Sequence, residues 1–114
     1  MTGWFIGRFQ PWHQGHAKCV EKILEECDRC TIIIKGAKES KSNPYTVVEV
    51  KTMIGAWIIF SGYKRRVDVQ IIFGDSENMT AYYGRKVGWG FKEIKLDNKT
   101  EAISATKIRN NEKD

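Results

Sequence analysis

The 114-residue sequence predicts an α/β fold, a three-layer α/β/α arrangement around a small parallel sheet. Apolar, β-branched or aromatic runs stand at 4–9, 31–35 and 67–73, while apolar residues recur at helical spacing over 14–27 and 46–60. The resulting β-α-β-α-β order argues for right-handed crossovers with helices on both faces. In such sheets a ligand binds beyond the carboxyl ends of the strands, where strand order reverses.

Each element follows from local chemistry. Trp4-Phe5-Ile6-Gly7-Arg8-Phe9 reads as a first strand, apolar enough to be buried, that breaks at Pro11. Val20, Ile23, Leu24 and Cys27 then form one helical stripe, with Glu21, Lys22, Glu25 and Glu26 on the other side. Thr31 to Lys35 is a second strand covered on both faces. The polar stretch from Gly36 to Tyr45, punctuated by Asn43-Pro44, is a loop. Thr46 and Glu49 make a capping box for the next helix, Tyr45 can staple onto Val50, and Val50, Met53, Ile54, Trp57 and Ile58 face inward. Ser61-Gly62 stops that helix, and the basic turn Lys64-Arg65-Arg66 leads to a third buried strand, Val67 to Phe73. Farther on, a short helix near 77–86, a fourth, more exposed strand from Phe91 to Leu96 and a short helix beginning at Ser104 are expected.

Composition bounds the function. The length fits one domain, residues 1–114, and the apolar content of 41% is ordinary for a globular chain without a linker. The longest apolar runs fall far short of a membrane span, and the N-terminus lacks a signal-peptide pattern, so a soluble, cytoplasmic protein is expected. A net charge of +5 favours polyanionic partners: nucleotides, phosphorylated metabolites or nucleic acid. Cys19, Cys27 and Cys30 are an odd number of cysteines, which argues against a disulfide framework. Cys27-Asp28-Arg29-Cys30 has no second ligand pair for zinc, and its thiols read as reduced and packed at a helix–strand junction.

The stretch that organises these elements is Gly7-Arg8-Phe9-Gln10-Pro11-Trp12-His13-Gln14-Gly15-His16, which holds both histidines of the chain. Two imidazoles three residues apart at a helix start share one face where backbone N–H groups attract anions. A lone H-x-x-H is more often a pair of surface histidines; the flanking glycine, proline and amphipathic helix turn this one into a candidate phosphate site.

Three blocks carry a resemblance. The opening Gly7-Arg8-Phe9-Gln10-Pro11 with His13 and His16 resembles the signature of the H-x-G-H nucleotidyltransferase superfamily, in the branch of the nicotinamide-mononucleotide adenylyltransferases. Gly36-Ala37 followed by Asn43-Pro44-Tyr45-Thr46 looks like that branch's second-strand loop and helix start. Ile103-Ser104-Ala105-Thr106-Lys107-Ile108-Arg109 is similar to the superfamily's I-S-x-T-x-I-R motif. The resemblance implies a Rossmann-like domain in which His13 and His16 bind the triphosphate, His16 nearest the α-phosphate. It implies that Gly7 and Gly15 admit the nucleotide to the backbone, with Phe9 between them in the same block, and that Arg8 contacts phosphate. Ser104 and Thr106, with Ile103 beside them, and Arg109 would hold the β- and γ-phosphates. Hydroxyls and N–H groups at a helix start, with an arginine fork, suit phosphate oxygens on physical grounds as well. Asn43, Asp75 and Tyr82 are the candidate contacts for the second substrate.

The chemistry implied is attack of a substrate phosphate on the α-phosphorus of ATP, with Mg, releasing pyrophosphate; with nicotinamide mononucleotide the product is NAD. Departures concern the second substrate. The branch's Glu-Arg pair after its helix start is here Glu49-Val50, and residues 75–89 contain no clean match to its ring-stacking tryptophan. Ser104-Ala105-Thr106 also stands close to the Ser-Thr-Thr of cytidylyltransferases. A cytidylyltransferase using CTP and an alcohol phosphate such as glycerol 3-phosphate is therefore the alternative, and a nucleotide-binding module without turnover is a third reading. Lys38-Glu39-Ser40-Lys41-Ser42 looks like the K-M-S-K-S of class I aminoacyl-tRNA synthetases, which carry it late in the chain. Here it reads as a solvated basic loop, and no nucleic-acid partner is expected. A core this small profits from association, so a homo-oligomer fits the sequence.

Overall fold

The computed structural model describes residues 1–72, 80, 82, 84–85 and 90–96. Strand β1 (Thr2–Gly7), helix α1 (Gln14–Glu26), strand β2 (Arg29–Lys35), helix α2 (Val47–Ser61) and strand β3 (Val67–Ile72) follow one another along the chain. The three strands form a parallel sheet in the order β1-β2-β3. This is an α/β, Rossmann-like arrangement.

The β-branched run of β2 occupies the centre of the sheet, and its last six residues are all buried. The register sets Phe5 beside Ile32 and Ile32 beside Val69, so these side chains share one face with Cys30 and Ile34. Val20 and Leu24 of α1 and Val50, Ile54 and Ile58 of α2 join Cys30, Ile32 and Ile34 in one core. Both described helices therefore lie on the same face. Right-handed crossovers along a strand order that does not reverse put successive helices on one side. Burial of each large aliphatic side chain, such as Ile32, Ile34 or Ile54, contributes roughly 1.5–3 kcal/mol relative to exposure.

Local signals place the helix ends. Thr46 Oγ1 accepts from Glu49 N–H at 3.1 Å, and Thr46 N–H donates to Glu49 Oε1 at 3.1 Å. Tyr45 is half-buried against the core that holds Val50, as the staple requires. At the other end Gly62 takes a left-handed conformation, φ 78°, and its N–H turns back to Ile59 O. Helix α1 has no basic residue in its last turn. Arg66 supplies the missing cation from the turn before β3: Nη2 donates to Leu24 O at 2.8 Å and Cys27 O at 3.0 Å, and Nε to Asp28 O at 3.0 Å.

Several expectations change. The first strand runs 2–7 rather than 4–9, and it is not buried on both faces: Trp4 and Ile6 stand 54% and 53% exposed. Helix α1 covers the face of Phe5, and β1 is an edge of the described sheet. Strand β3, the other edge, is fully buried only at Val67. No reversal of strand order occurs among the described strands. Residues 91–96 form no strand. Apolar residues there fall at Phe91, Ile94 and Leu96, which breaks the period of two, and Phe91 is 81% exposed. An ion pair from Lys92 Nζ to Glu26 Oε2, 2.9 Å long, ties this segment to α1 instead. Thr80, Tyr82, Gly84 and Arg85 are not helical; the rest of the helix expected near 77–86 and the one beginning at Ser104 lie outside the described residues. No helix among the described residues is long and apolar enough to cross a membrane.

Candidate active site

Because the strands are parallel, the segments that leave β1 and β2, residues 8–13 and 36–46, emerge at the same edge of the sheet. One side chain joins them. Gln10, 8% exposed, donates from Nε2 to Tyr45 O at 2.9 Å and accepts at Oε1 from Tyr45 N–H at 2.9 Å. The clamp links the histidine-bearing block to the residue just before the α2 cap.

His13 is the N-cap of α1, and His16 lies in its first turn. Gly15 N–H donates to His13 Nδ1 at 3.0 Å, and His13 N–H donates to His16 Nδ1 at 3.1 Å. Serine, threonine, aspartate and asparagine are the usual caps. Two imidazoles in a reciprocal cap are a local exception of the kind that functional sites show. Both Nδ1 atoms accept, so each neutral ring carries its proton on Nε2 and keeps that N–H as a donor. The rings stack with centroids 3.7 Å apart.

The surroundings keep the rings uncharged. Phe9 meets His16 edge-on at 4.9 Å, Trp12 lies 5.3 Å from it, and Phe5 is 6.4 Å away. Burial, and then the neighbouring His13, push the His16 pKa down to about 3. Burial also lowers that of His13. The first turn of α1 contains no acidic residue. The site therefore offers two N–H donors beside the positive end of a helix dipole, with no carboxylate in that turn to repel an anion.

Phe9 holds this arrangement at a cost. Its φ is 54°, a conformation uncommon for a bulky residue, yet it is 4% exposed. Its ring lies over Gly7, where a Cβ would come within 2.8 Å of Phe9 Cε1. Gly7 is thus required by the protein's own packing, besides any approach of a ligand. Trp12 extends the aromatic contacts to Trp57 at 5.2 Å, and Trp57 to Tyr63 at 5.6 Å.

The other sequence candidates divide. Gly15 is buried at the histidine cap, and Arg8, between Gly7 and Phe9 in the chain, is exposed. Asn43, 6% exposed, closes its own loop: its N–H donates to Ser40 O at 3.1 Å, and Ser40 N–H donates to Asn43 O at 3.2 Å. Tyr82 is 92% exposed and makes no ring contact with the histidine cluster. Asp75, Ile103, Ser104, Thr106 and Arg109 lie outside the described residues. Residues 38–42 are exposed, as expected of a solvated loop. Cys19, Cys27 and Cys30 are free thiols, and no group of three metal-ligating side chains occurs among the described residues. Sequence reasoning assigned no role to Gln10, Trp12 or Arg66. A glutamine's partner 35 positions away leaves no local signal.

Residues 4–54 match the family described as cytidylyltransferase-like. A nicotinamide-nucleotide adenylyltransferase of Archaeoglobus fulgidus is 45% identical over 56 residues, 47% of this chain and 32% of that protein. One from Pyrococcus abyssi is 39% identical over 68 residues, 58% of this chain and 37% of the relative. The chain thus spans about a third of the length of these curated relatives. Among solved structures, a bifunctional NMN adenylyltransferase/ADP ribose pyrophosphatase from Francisella tularensis, complexed with AMP and a manganese ion, superposes with a TM-score of 0.51 at 26% identity. The match covers 66% of this chain and 22% of that one.

Proposed function

Through residues 4–54 the chain belongs to the cytidylyltransferase-like family of H-x-G-H nucleotidyltransferases, and from that premise we propose that it transfers AMP from ATP to nicotinamide mononucleotide. The observation that carries the reading is the reciprocal histidine cap: two uncharged imidazoles, each with Nε2–H as donor, at the start of α1. The names of the relatives from Archaeoglobus fulgidus and Pyrococcus abyssi support the choice of acceptor.

In this reaction a phosphate oxygen of nicotinamide mononucleotide attacks the α-phosphorus. A new P–O bond forms, the bond to the bridging oxygen of the β-phosphate breaks, and pyrophosphate leaves with the electron pair. No side chain acts as nucleophile. His16 and His13 donate hydrogen bonds to oxygens on which charge grows, and Arg8 is assigned a phosphate contact. Ser104, Thr106 and Arg109, with Ile103 beside them, are assigned to the β- and γ-phosphates, and Asn43, Asp75 and Tyr82 to the second substrate. Magnesium belongs to this reading as the ion that ATP would bring, and it would offset part of the phosphate charge.

A pyrophosphate-release assay tests the proposal. ATP with nicotinamide mononucleotide should turn over and yield NAD; turnover only with CTP and glycerol 3-phosphate would assign the chain to cytidylyl transfer. Binding of ATP without product in either pair would leave a nucleotide-binding module. Self-association belongs to the same reading, and a monomer mass by light scattering would remove it.

A further inference from the structure

We propose that Gln10 is a positioning residue: its bidentate clamp on the Tyr45 backbone holds the histidine pair in register with the 36–46 loop during adenylyl transfer. This rests on the reaction proposed above. Both ends of the amide are used, at 2.9 Å each, on a main-chain N–H and C=O, so the clamp does not depend on the side chain at position 45. On one side, Gln10 follows Phe9, whose left-handed backbone persists only if its surroundings over-determine it, and whose ring packs edge-on against His16. On the other, Tyr45 precedes the Thr46 cap and follows the turn that Asn43 closes on Ser40. The two loops leave different strands, and Gln10 bonds one to the other. Releasing it frees the donors to shift against the second substrate, and a misplacement of about 1 Å costs on the order of a hundredfold in rate.

Two variants test the clamp. Gln10→Met keeps the length of the side chain and removes both bonds. Gln10→Glu presents a carboxylate to Tyr45 O at neutral pH, but its protonated form restores one donor and one acceptor in the geometry of the amide. Gln10→Met should lower kcat by roughly ten- to a hundredfold with KM for ATP within about twofold. The kcat of Gln10→Glu, divided by that of the wild type at each pH, should rise as pH falls, and Gln10→Met should show no such recovery. A purely structural part for Gln10 would not produce that pH-dependent ratio. Wild-type kcat in Gln10→Met, or a flat ratio for Gln10→Glu, would overturn the proposal. If Gln10→Met fails to fold, the Gln10→Glu profile decides alone. If the wild type releases no pyrophosphate with any substrate pair, the adenylyl-transfer reading fails. The clamp is then judged by faster amide exchange at Tyr45 together with displaced imidazole 15N resonances of His13 and His16 in Gln10→Met; unmoved resonances would reject it.

Discussion

His13 and His16 cap each other: the stacked rings lie 3.7 Å apart, each Nδ1 accepts a backbone N–H, and each Nε2–H remains a donor. The same atoms that start the helix fix the tautomers that the proposed reaction would use. Structure and chemistry can still be separated at position 13. His13→Asn keeps a good cap but removes the imidazole, so it should melt within a few degrees of the wild type while kcat falls on the order of a hundredfold. His13→Ala should lose about 1 kcal/mol of stability as well. Thermal melts and pyrophosphate release on the two variants check this, and full activity in His13→Asn would refute the donor role.

His16→Ala should fold and lose about a hundred- to a thousandfold in kcat, the usual cost of one transition-state donor. Near-wild-type turnover would count against the site.

Acid should destabilise the fold through His16. Its pKa lies near 6.5 when unfolded and about 3 when folded, so between those values the unfolded chain binds the extra proton. The contribution is complete above pH 6.5 and is lost progressively as pH falls toward 3. Melting temperature should therefore decline across this window, and more steeply in the wild type than in His16→Gln. Parallel curves would show that His16 does not govern the decline.

Gly7→Ala places a methyl within 2.9 Å of two atoms of the Phe9 ring. Relief requires Phe9 to move, and with it the edge contact to His16. A stability loss of about 1–3 kcal/mol, typical of overpacking, should accompany reduced activity. A variant that loses neither would show that the ring yields freely.

Arg66→Ala should separate stability from activity in the other direction. Three hydrogen bonds from its guanidinium end α1, and none reaches the histidine cluster. We expect a loss of about 2 kcal/mol in a urea melt, with kcat unchanged where the protein is folded.

Much of the fold was legible because its signals are local. The Thr46–Glu49 box and Gly62 bracket α2, the β-branched run marks β2, and the spacing of His13 and His16 puts both rings on one face of a helix start. Exposure was harder to read. Trp4 and Ile6 are as apolar as Phe5, but they point to the face of the edge strand β1 that neither described helix covers, and they remain half open. Which face is covered depends on which strands pair, a long-range choice. Gln10 and Arg66 were missed for the same reason, since their acceptors are backbone atoms 35 to 42 positions away. The candidate site residues whose placement was legible, His13 and His16, have partners within one helical turn.

Cys30 has a use as an internal gauge. It sits in the central strand with no exposed surface, and burial, then Cys27 and Asp68, push its thiol pKa up to about 12. An alkylating reagent requires an exposed thiolate, so Cys19 and Cys27, each partly exposed, should label in the native protein while Cys30 waits for the sheet to open. Its labelling rate then reads the opening free energy of the sheet directly, without denaturant and without an assay for the reaction. Measured with and without ATP, the same thiol would report how strongly a nucleotide at the edge of the sheet is felt at its centre.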